Sequence, residues 1–296
     1  MFPAFLFCLV LANDVRDLVA RNDLTGAERM VQASQRQDGN TPEYAAAVSW
    51  LARGELAANH FDRADAYASQ ARKLADQLLH THKLDADPWL PTAVGAAIEV
   101  HGQVLAARGA RSEAVTFLNE QLALFGNTSI ADRLHKNLNL LSMQGRLAPA
   151  LDESDWLGAK PVPLAALRGH PVLLFFWAHW CPDCKADVPI LAELERVYGP
   201  KGLVVVAPTR FYGYVGQGQD APPSEEKKYI EAVRQQFYAP LGNIAMPLSN
   251  GNFLRYGAST TPTLVLIDAA GVVRLYHPGN LSEAELAARI QALLTK

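Results

Sequence analysis

Two cysteines at C-x-x-C spacing, Cys181 and Cys184, are the residues of this sequence best placed for covalent chemistry. An apolar run from Leu173 to Trp177 precedes them and predicts a buried strand, and apolar residues from Val188 to Val197 recur at helical three-residue steps. Cys181 is therefore expected at the N-terminus of a helix, where unsatisfied N–H groups and the helix dipole favour a thiolate. Because Cys184 follows one turn later on the same face, the pair predicts a dithiol that cycles between reduced and disulfide forms.

Several side chains near the cysteines are candidates for controlling their reactivity. Asp187 projects from the cysteine side of the predicted helix, and we expect it to accept the proton that Cys184 loses when it attacks a mixed disulfide. A solvated helix residue is the alternative for this aspartate. Asp183 and His179 flank the thiols. A carboxylate near Cys181 opposes the thiolate, whereas a protonated histidine favours it, so the residue types alone do not give the sign of their net effect on the redox potential. Trp180 is a candidate apolar platform for substrates, with plain packing as the alternative.

The elements that position the cysteines follow from a change of pattern after Trp156. In chain order the patterns first predict a strand from Val172 to Trp177, the cysteine helix to about Tyr198 with a kink at Pro189, and a strand from Leu203 to Ala207. A helix from Glu225 to Tyr238 and a short strand from Ala245 to Leu248 follow. A hairpin from Thr263 to Tyr276 and a last helix that begins with a capping box of Ser282 and Glu285 complete the order. This order predicts an α/β fold whose central sheet is covered by helices on both faces. The aromatic, glycine-rich stretch from Phe211 to Pro223 follows a strand, and it predicts a lid or recognition loop or, alternatively, a surface insert.

The motifs of this second half resemble one branch of the thioredoxin superfamily. The segment from Phe176 to Cys184, with Asp187 and Pro189 after it, resembles the TlpA-like and ResA-like exported thiol-disulfide oxidoreductases. The segment from Tyr256 to Leu264 resembles the part of that branch that contains a cis-proline, and Ile267-Asp268 with Gly271 resembles its closing hairpin. The resemblance covers residues 156–296 and implies a thioredoxin-like fold, for which we expect a domain over residues 152–296.

The resemblance also implies roles for individual residues. Cys181 corresponds to the attacking cysteine and Cys184 to the resolving one. Pro262 corresponds to the cis-proline that faces the pair, and the backbone of Thr261 would pair with an extended substrate. Asp187 stands where the branch usually has glutamate, so its shorter side chain reaches less far.

Residues 13–150 are expected to form an all-α domain of helical hairpins. Alanine is abundant there, and Ala27, Ala64 and Ala114 each stand at the same place near the start of a predicted second helix. The pattern resembles a tetratricopeptide array, although the repeat intervals are uneven and the stretch from Asp85 to Pro91 interrupts it. Such an array offers a concave surface to protein partners. The alternative is that the apolar faces of these helices only pack against one another within the domain. Trp89 and Tyr67 are aromatic candidates for a groove or for the core.

Residues 1–12 form an apolar run that we interpret as a signal peptide or its remnant. The run is too short to span a bilayer and lacks a basic segment before it, and a buried first helix is the alternative. The interpretation predicts export to the periplasm or another extracytoplasmic compartment. Removal of the leader would also remove Cys8 and leave Cys181 and Cys184 as the cysteines of the mature chain.

Composition narrows the function classes. A net charge of −3 without a basic stripe argues against nucleic acid as a partner, and three cysteines do not make a disulfide-stapled scaffold. A metal site at Cys181, Cys184 and a histidine is a further alternative, but the sequence has only one such cysteine pair and a closed zinc site usually has four ligands. We therefore predict an enzyme that exchanges disulfides with protein thiols and a redox partner, without a cofactor. The alternative is a partner-binding helical-repeat protein with an attached redox-regulatory domain, and the residues leave the direction of electron flow open.

Overall fold

The structure, a computed structural model, describes residues 10–294. Residues 1–9, which include most of the predicted leader and Cys8, lie outside the described residues, as do residues 295–296. The chain divides into two units, Met1–Asn137 and Leu138–Lys296. The division into a helical domain over residues 13–150 and a thioredoxin-like domain over residues 152–296 stays a prediction.

The region from Leu11 to Ser142 is all-helical, as the sequence predicts. Its helices are α1 (Leu11–Ala20), α2 (Leu24–Asp38), α3 (Pro42–Ala57), α4 (Phe61–Leu78), α5 (Leu90–Ala107), α6 (Arg111–Phe125) and α7 (Ala131–Ser142). Short turns join α1 to α2, α3 to α4 and α5 to α6, so that consecutive helices form hairpins. The boundary between the two units falls within α7, between Asn137 and Leu138.

The alanines that suggested a repeat have a common structural role. Ala27, Ala64 and Ala114 are each the fourth residue of α2, α4 and α6, and each is fully buried. A methyl side chain at this point lets two helices approach closely, which explains why alanine recurs there. The predicted interruption is also present, because α5 starts only at Leu90, where the carboxylate of Asp87 accepts the backbone N–H groups of Trp89 and Leu90.

The second unit contains the mixed α/β fold that the sequence predicts. Its strands are β1 (Trp156–Gly158), β2 (Val172–Phe176), β3 (Val204–Val206), β4 (Ala245–Pro247), β5 (Thr263–Ile267) and β6 (Val273–Pro278). They form one sheet in the order β1-β4-β3-β2-β5-β6, in which β2, β3 and β4 run parallel and the other neighbours pair antiparallel. Strand β1 has only three residues and the sequence patterns did not predict it.

Helices of the second unit pack on this sheet. They are α8 (Pro182–Ala186), α9 (Val188–Tyr198), α10 (Pro223–Phe237), α11 (Asn250–Tyr256) and α12 (Glu283–Leu294). The kink predicted in the cysteine helix lies at Asp187, where α8 ends and α9 begins, because Pro189 lacks an N–H and crowds the preceding turn. Asp187 itself keeps helical backbone angles, and its N–H donates to the Asp183 carbonyl at 3.0 Å. The predicted capping box of α12 is present, with the Glu285 amide donating to the Ser282 hydroxyl at 3.3 Å and the Ser282 amide to the Glu285 carboxylate at 3.1 Å.

Strand β2 is buried on both faces and carries the site at its carboxyl end. Leu173 and Phe175 belong to a core that includes residues of α9, α10 and α12, whereas Leu174 and Phe176 belong to a core that includes Phe253 of α11. Burial on both sides explains why the strand reads as a continuous apolar run without alternation.

Among residues 10–294, none of the helices combines the length and the apolar composition that a bilayer span requires.

Candidate active site

The two cysteines lie where β2 passes into α8, and they are joined by a disulfide. Cys181 is the N-cap residue of α8, and its Sγ accepts a hydrogen bond from the backbone N–H of Cys184 at 3.0 Å. The two Cα atoms are 5.3 Å apart, and both residues are almost completely buried in this oxidised form. The predicted placement of a reversible dithiol at the start of a helix is therefore present in the geometry.

The loop before β5 faces the disulfide. The peptide bond between Thr261 and Pro262 is cis, which confirms the conformation expected for this proline. The carbonyl oxygen of Thr261 lies 3.5 Å from Sγ of Cys181. Antiparallel pairing of β2 with β5 sets Phe176 opposite Thr263, and this register brings the loop next to the chain that leads to the cysteines.

Asp187 lies at the kink between α8 and α9 and is only 7% exposed. Burial, reinforced by the charge of Asp183, raises the pKa of the Asp187 carboxyl from its ordinary 3.8 to about 6. Burial likewise raises the pKa of Tyr238, with the negative charge of Asp187 as the next cause. A carboxyl group with this pKa exchanges a proton readily near neutral pH, because both of its forms are populated there.

Trp180 is exposed beside the disulfide. Its exposed fraction is 46%, and the edge of its indole meets the ring of Tyr212 with a centroid distance of 5.5 Å. The structure places Trp180, Cys181, Cys184 and Asp187 on the segment that leads from β2 through α8, and Thr261 and Pro262 on the loop that faces Cys181. Their roles in catalysis and substrate binding stay predictions.

Trp177, which the sequence indicated only as the end of a strand, connects the cysteine segment to the end of β3. Its indole Nε1 donates to the carbonyl of Ala207 at 3.0 Å, and its backbone carbonyl accepts the hydroxyl of Thr209 at 2.9 Å. The indole is fully buried and packs on Tyr238 with a centroid distance of 4.3 Å. Trp177 thus anchors the cysteine segment to the end of β3. The sequence signal available for this role was a tryptophan at the end of an apolar run, just before the cysteines.

Trp177→Phe is expected to lower the free energy of unfolding by about 2–4 kcal/mol, because it removes the donor to Ala207 and leaves part of the indole volume empty. Trp180→Phe is the matched control and should change the free energy of unfolding by less than about 0.5 kcal/mol, because Trp180 is largely at the surface. Urea unfolding of the oxidised proteins measures both values. Equal losses in the two variants would contradict the anchoring role of Trp177.

A buried pair near the cysteines, His179 and Glu226, was not predicted as a pair. The imidazole Nε2 of His179 lies 3.3 Å from a carboxylate oxygen of Glu226, and both side chains are 1% exposed. Burial lowers the pKa of the His179 imidazole against the opposing effect of the Glu226 carboxylate. No local pattern indicates this contact, because Glu226 stands in an ordinary polar helix start.

In the part of the chain that the structure describes, no three or more His, Cys, Asp or Glu side chains are grouped so as to hold a metal ion.

Comparison with known proteins gives matches that each cover about half of the chain. The profile of the redoxin family matches residues 143–290. The thiol:disulfide interchange protein DsbE of Pseudomonas fluorescens biotype C is 30% identical over 157 residues, which cover 51% of this chain and 78% of that protein. The thiol-disulfide oxidoreductase ResA of Geobacillus thermodenitrificans (strain NG80-2) is 26% identical over 149 residues, which cover 50% of this chain and 77% of that protein.

A solved structure of a putative thiol:disulfide interchange protein DsbE from Chlorobium tepidum is also similar. It is 28% identical, with a TM-score of 0.40, and the alignment covers 51% of this chain and 97% of that one.

Proposed function

Because the chain belongs to the redoxin family and is a thiol-disulfide oxidoreductase related to DsbE and ResA, we propose that Cys181 and Cys184 exchange disulfides with protein thiols. The observation that carries the proposal is the Cys181–Cys184 disulfide, with Sγ of Cys181 facing the Thr261 carbonyl at 3.5 Å. A substrate that pairs with the Thr261 backbone would hold its own sulfur near Cys181.

In the reducing direction the reaction starts from the dithiol. Cys181 is the attacking residue, because its sulfur receives the N–H of Cys184 and lies at the start of α8, where backbone dipoles favour the thiolate. The Cys181 thiolate attacks one sulfur of the substrate disulfide. A mixed disulfide forms, and the other substrate sulfur leaves as a thiolate that takes up a proton.

The second step releases the substrate. Cys184 loses its proton and attacks Sγ of Cys181, so the intramolecular disulfide closes and the remaining substrate sulfur departs and is protonated. Asp187 is the base that we assign to this step, supported by its burial and its pKa of about 6. Run in reverse, the same steps oxidise a substrate dithiol.

The exchange moves electrons and protons between sulfur atoms, and the proposal includes no bound cofactor. Substrate binding is assigned to Trp180, Thr261 and Pro262, which is supported by the exposed indole and the contact between Thr261 and Cys181. The proposal also includes export, based on the apolar residues 1–12, and a separate redox partner that returns the pair to its starting state. The decisive experiment is turnover of a peptide disulfide with each cysteine replaced in turn.

Partner binding by the helical hairpins is a second proposal. It is supported by a cleft of about 590 Å³ whose lining includes Glu28, Glu55, Arg63 and Arg108. Within the chain Arg63 pairs with Glu28 and Glu55, and Arg108 pairs with Asp62, so a polar polypeptide partner would exchange part of these ion pairs for its own charges.

A partner of this kind should bind the immobilised Cys181→Ser/Cys184→Ser protein in the presence of reductant. Arg108→Glu at the cleft should weaken that binding at least about fivefold, as expected for one charge-assisted contact. Arg29→Glu is the control, because Arg29 is exposed and lies outside the cleft lining. Binding that both charge reversals weaken equally would contradict a specific role for the cleft.

A further inference from the structure

A single carboxylate holds the aromatic stretch that follows β3. Glu226 lies in the first turn of α10 and is completely buried. One of its oxygens accepts the backbone N–H of Tyr212 at 2.6 Å, and the other accepts the N–H of Gly213 at 2.9 Å. Both carboxylate oxygens are thus hydrogen-bonded to one short backbone segment, which fixes its position relative to α10.

His179 links this carboxylate to the cysteine segment. It stands two residues before Cys181, and its Nε2 is 3.3 Å from Glu226. Three tyrosines, Tyr212, Tyr214 and Tyr229, meet its ring edge-on at centroid distances of 5.5, 5.3 and 5.4 Å. The backbone before the reactive sulfur and the aromatic stretch therefore pack around one imidazole.

A buried carboxylate needs an explanation, because removal of its charge from water costs free energy unless hydrogen bonds compensate. Two loop amides donate to Glu226, and Nε2 of His179, whose pKa is lowered mainly by burial, lies 3.3 Å from it. An apolar side chain would fill the same space without that cost, but it would leave the amides of Tyr212 and Gly213 unsatisfied. The carboxylate is thus suited to ordering the loop.

The ordered loop stands beside the disulfide. The ring of Tyr212 contacts Trp180, which adjoins Cys181 and is 46% exposed. Tyr212 and Tyr214 are themselves only partly buried. An aromatic surface therefore continues from the reactive cysteine onto the loop, where it can receive a flat or large apolar side chain.

We propose that Glu226, together with His179, holds Tyr212–Tyr214 as one wall of the substrate site and thereby selects extended polypeptides with an aromatic or large apolar side chain next to the reacting cysteine. The inference rests on the proposed function and names its substrate class. Glu226 is a positioning residue in this scheme, because it acts through the loop and touches no reacting atom.

The test compares two peptide disulfides that differ only in having phenylalanine or glycine beside the cysteine. In Glu226→Gln the side-chain amide can accept one loop N–H, but its NH₂ group opposes the other. We expect kcat/KM for the phenylalanine peptide to fall about threefold to tenfold through KM, the size of one aromatic contact, while the glycine peptide changes less than about twofold. Glu225→Gln is the matched control, because Glu225 is the exposed neighbour in the same helical turn, and it should behave as wild type.

Hydrogen exchange gives a readout that does not depend on turnover. The amides of Tyr212 and Gly213 should exchange faster in Glu226→Gln but not in Glu225→Gln, since both amides donate to Glu226. Tyr212→Ala provides a second variant in case the buried substitution prevents folding. It removes the ring that contacts Trp180 but keeps the backbone amide, so it should show the same selective loss for the phenylalanine peptide.

An equal loss for both peptides, or no loss for either, would overturn the selection role even if the wild-type protein is active. Unchanged exchange of the two amides in Glu226→Gln would overturn the positioning role. Failure of the wild-type protein to turn over either peptide is a different result, because it refutes the proposed function and this inference with it.

Discussion

Cys181→Ser is expected to reduce turnover of a peptide disulfide at least about a thousandfold, the scale on which loss of a nucleophile acts. A serine hydroxyl is not ionised at neutral pH and cannot form the mixed disulfide, so the first step of the exchange is lost. The fold should persist, because serine can still cap α8 and accept the N–H of residue 184. Thiol release from the peptide is the measured quantity, and circular dichroism checks the fold.

Two further variants make this result specific. Cys184→Ser keeps the attacking sulfur but removes the resolving one, so a peptide should accumulate on Cys181 and increase the protein mass by one peptide thiol. In the full-length chain, Cys8→Ser is the matched control for cysteine replacement as such, because Cys8 has no part in the proposed mechanism. Undiminished turnover by Cys181→Ser, or accumulation of the adduct on another cysteine, would refute the assignment.

The parts of the site that the sequence predicted are those determined by contiguous residues. The run into β2 is apolar throughout because both faces of the strand are buried, and the cysteines follow directly, so their place at a strand end could be read from local pattern. The kink at Asp187 was similarly predictable, because Pro189 lacks an N–H and crowds the preceding helical turn. The cis bond before Pro262 was expected mainly from family resemblance.

The parts that were not predicted depend on contacts between distant segments. Glu226 stands in a helix start where acidic residues are common, and nothing in its neighbourhood indicates that it is buried against His179. Trp177 likewise looks like one more apolar residue of its strand until the end of β3 supplies the carbonyl of Ala207. Strand β1 has too few residues to show a periodicity, and the fold pairs it through β4. These contacts join segments that are distant in the sequence, so the local pattern of a single sequence does not reveal them.

Asp187→Asn is expected to slow closure of the Cys181–Cys184 disulfide about a hundredfold at pH 7, the lower end of what a general base contributes. Only the carboxylate accepts a proton, and burial, together with the charge of Asp183, raises the pKa of Asp187 to about 6. The wild-type closure rate should therefore fall as pH decreases below about 6, whereas the rate in the variant should lack this titration. Rapid mixing of reduced protein with a peptide disulfide, followed by release of the second peptide thiol, measures the step.

The raised pKa of Asp187 also predicts how the free energy of unfolding changes with pH. Its pKa in the folded protein is above the unfolded value, so folding favours the protonated form. The cost of burying the charge is absent below about pH 4 and fully present above about pH 6. Asp187→Asn should thus gain stability relative to wild type as pH rises through this interval. A stability difference that does not vary with pH would contradict the buried, titrating carboxyl.

Asp183→Asn separates the two causes of the raised pKa of Asp187. It removes the neighbouring charge but leaves the burial that contributes most, so the midpoint of the closure profile should move to lower pH while the rate at pH 7 stays within about twofold of wild type. If Asp187→Asn lowers the closure rate without changing its pH profile, the aspartate would instead have only a structural role at the kink between α8 and α9. An unchanged closure rate in Asp187→Asn would remove it from the mechanism and leave the chemistry to the two sulfurs and the backbone around them.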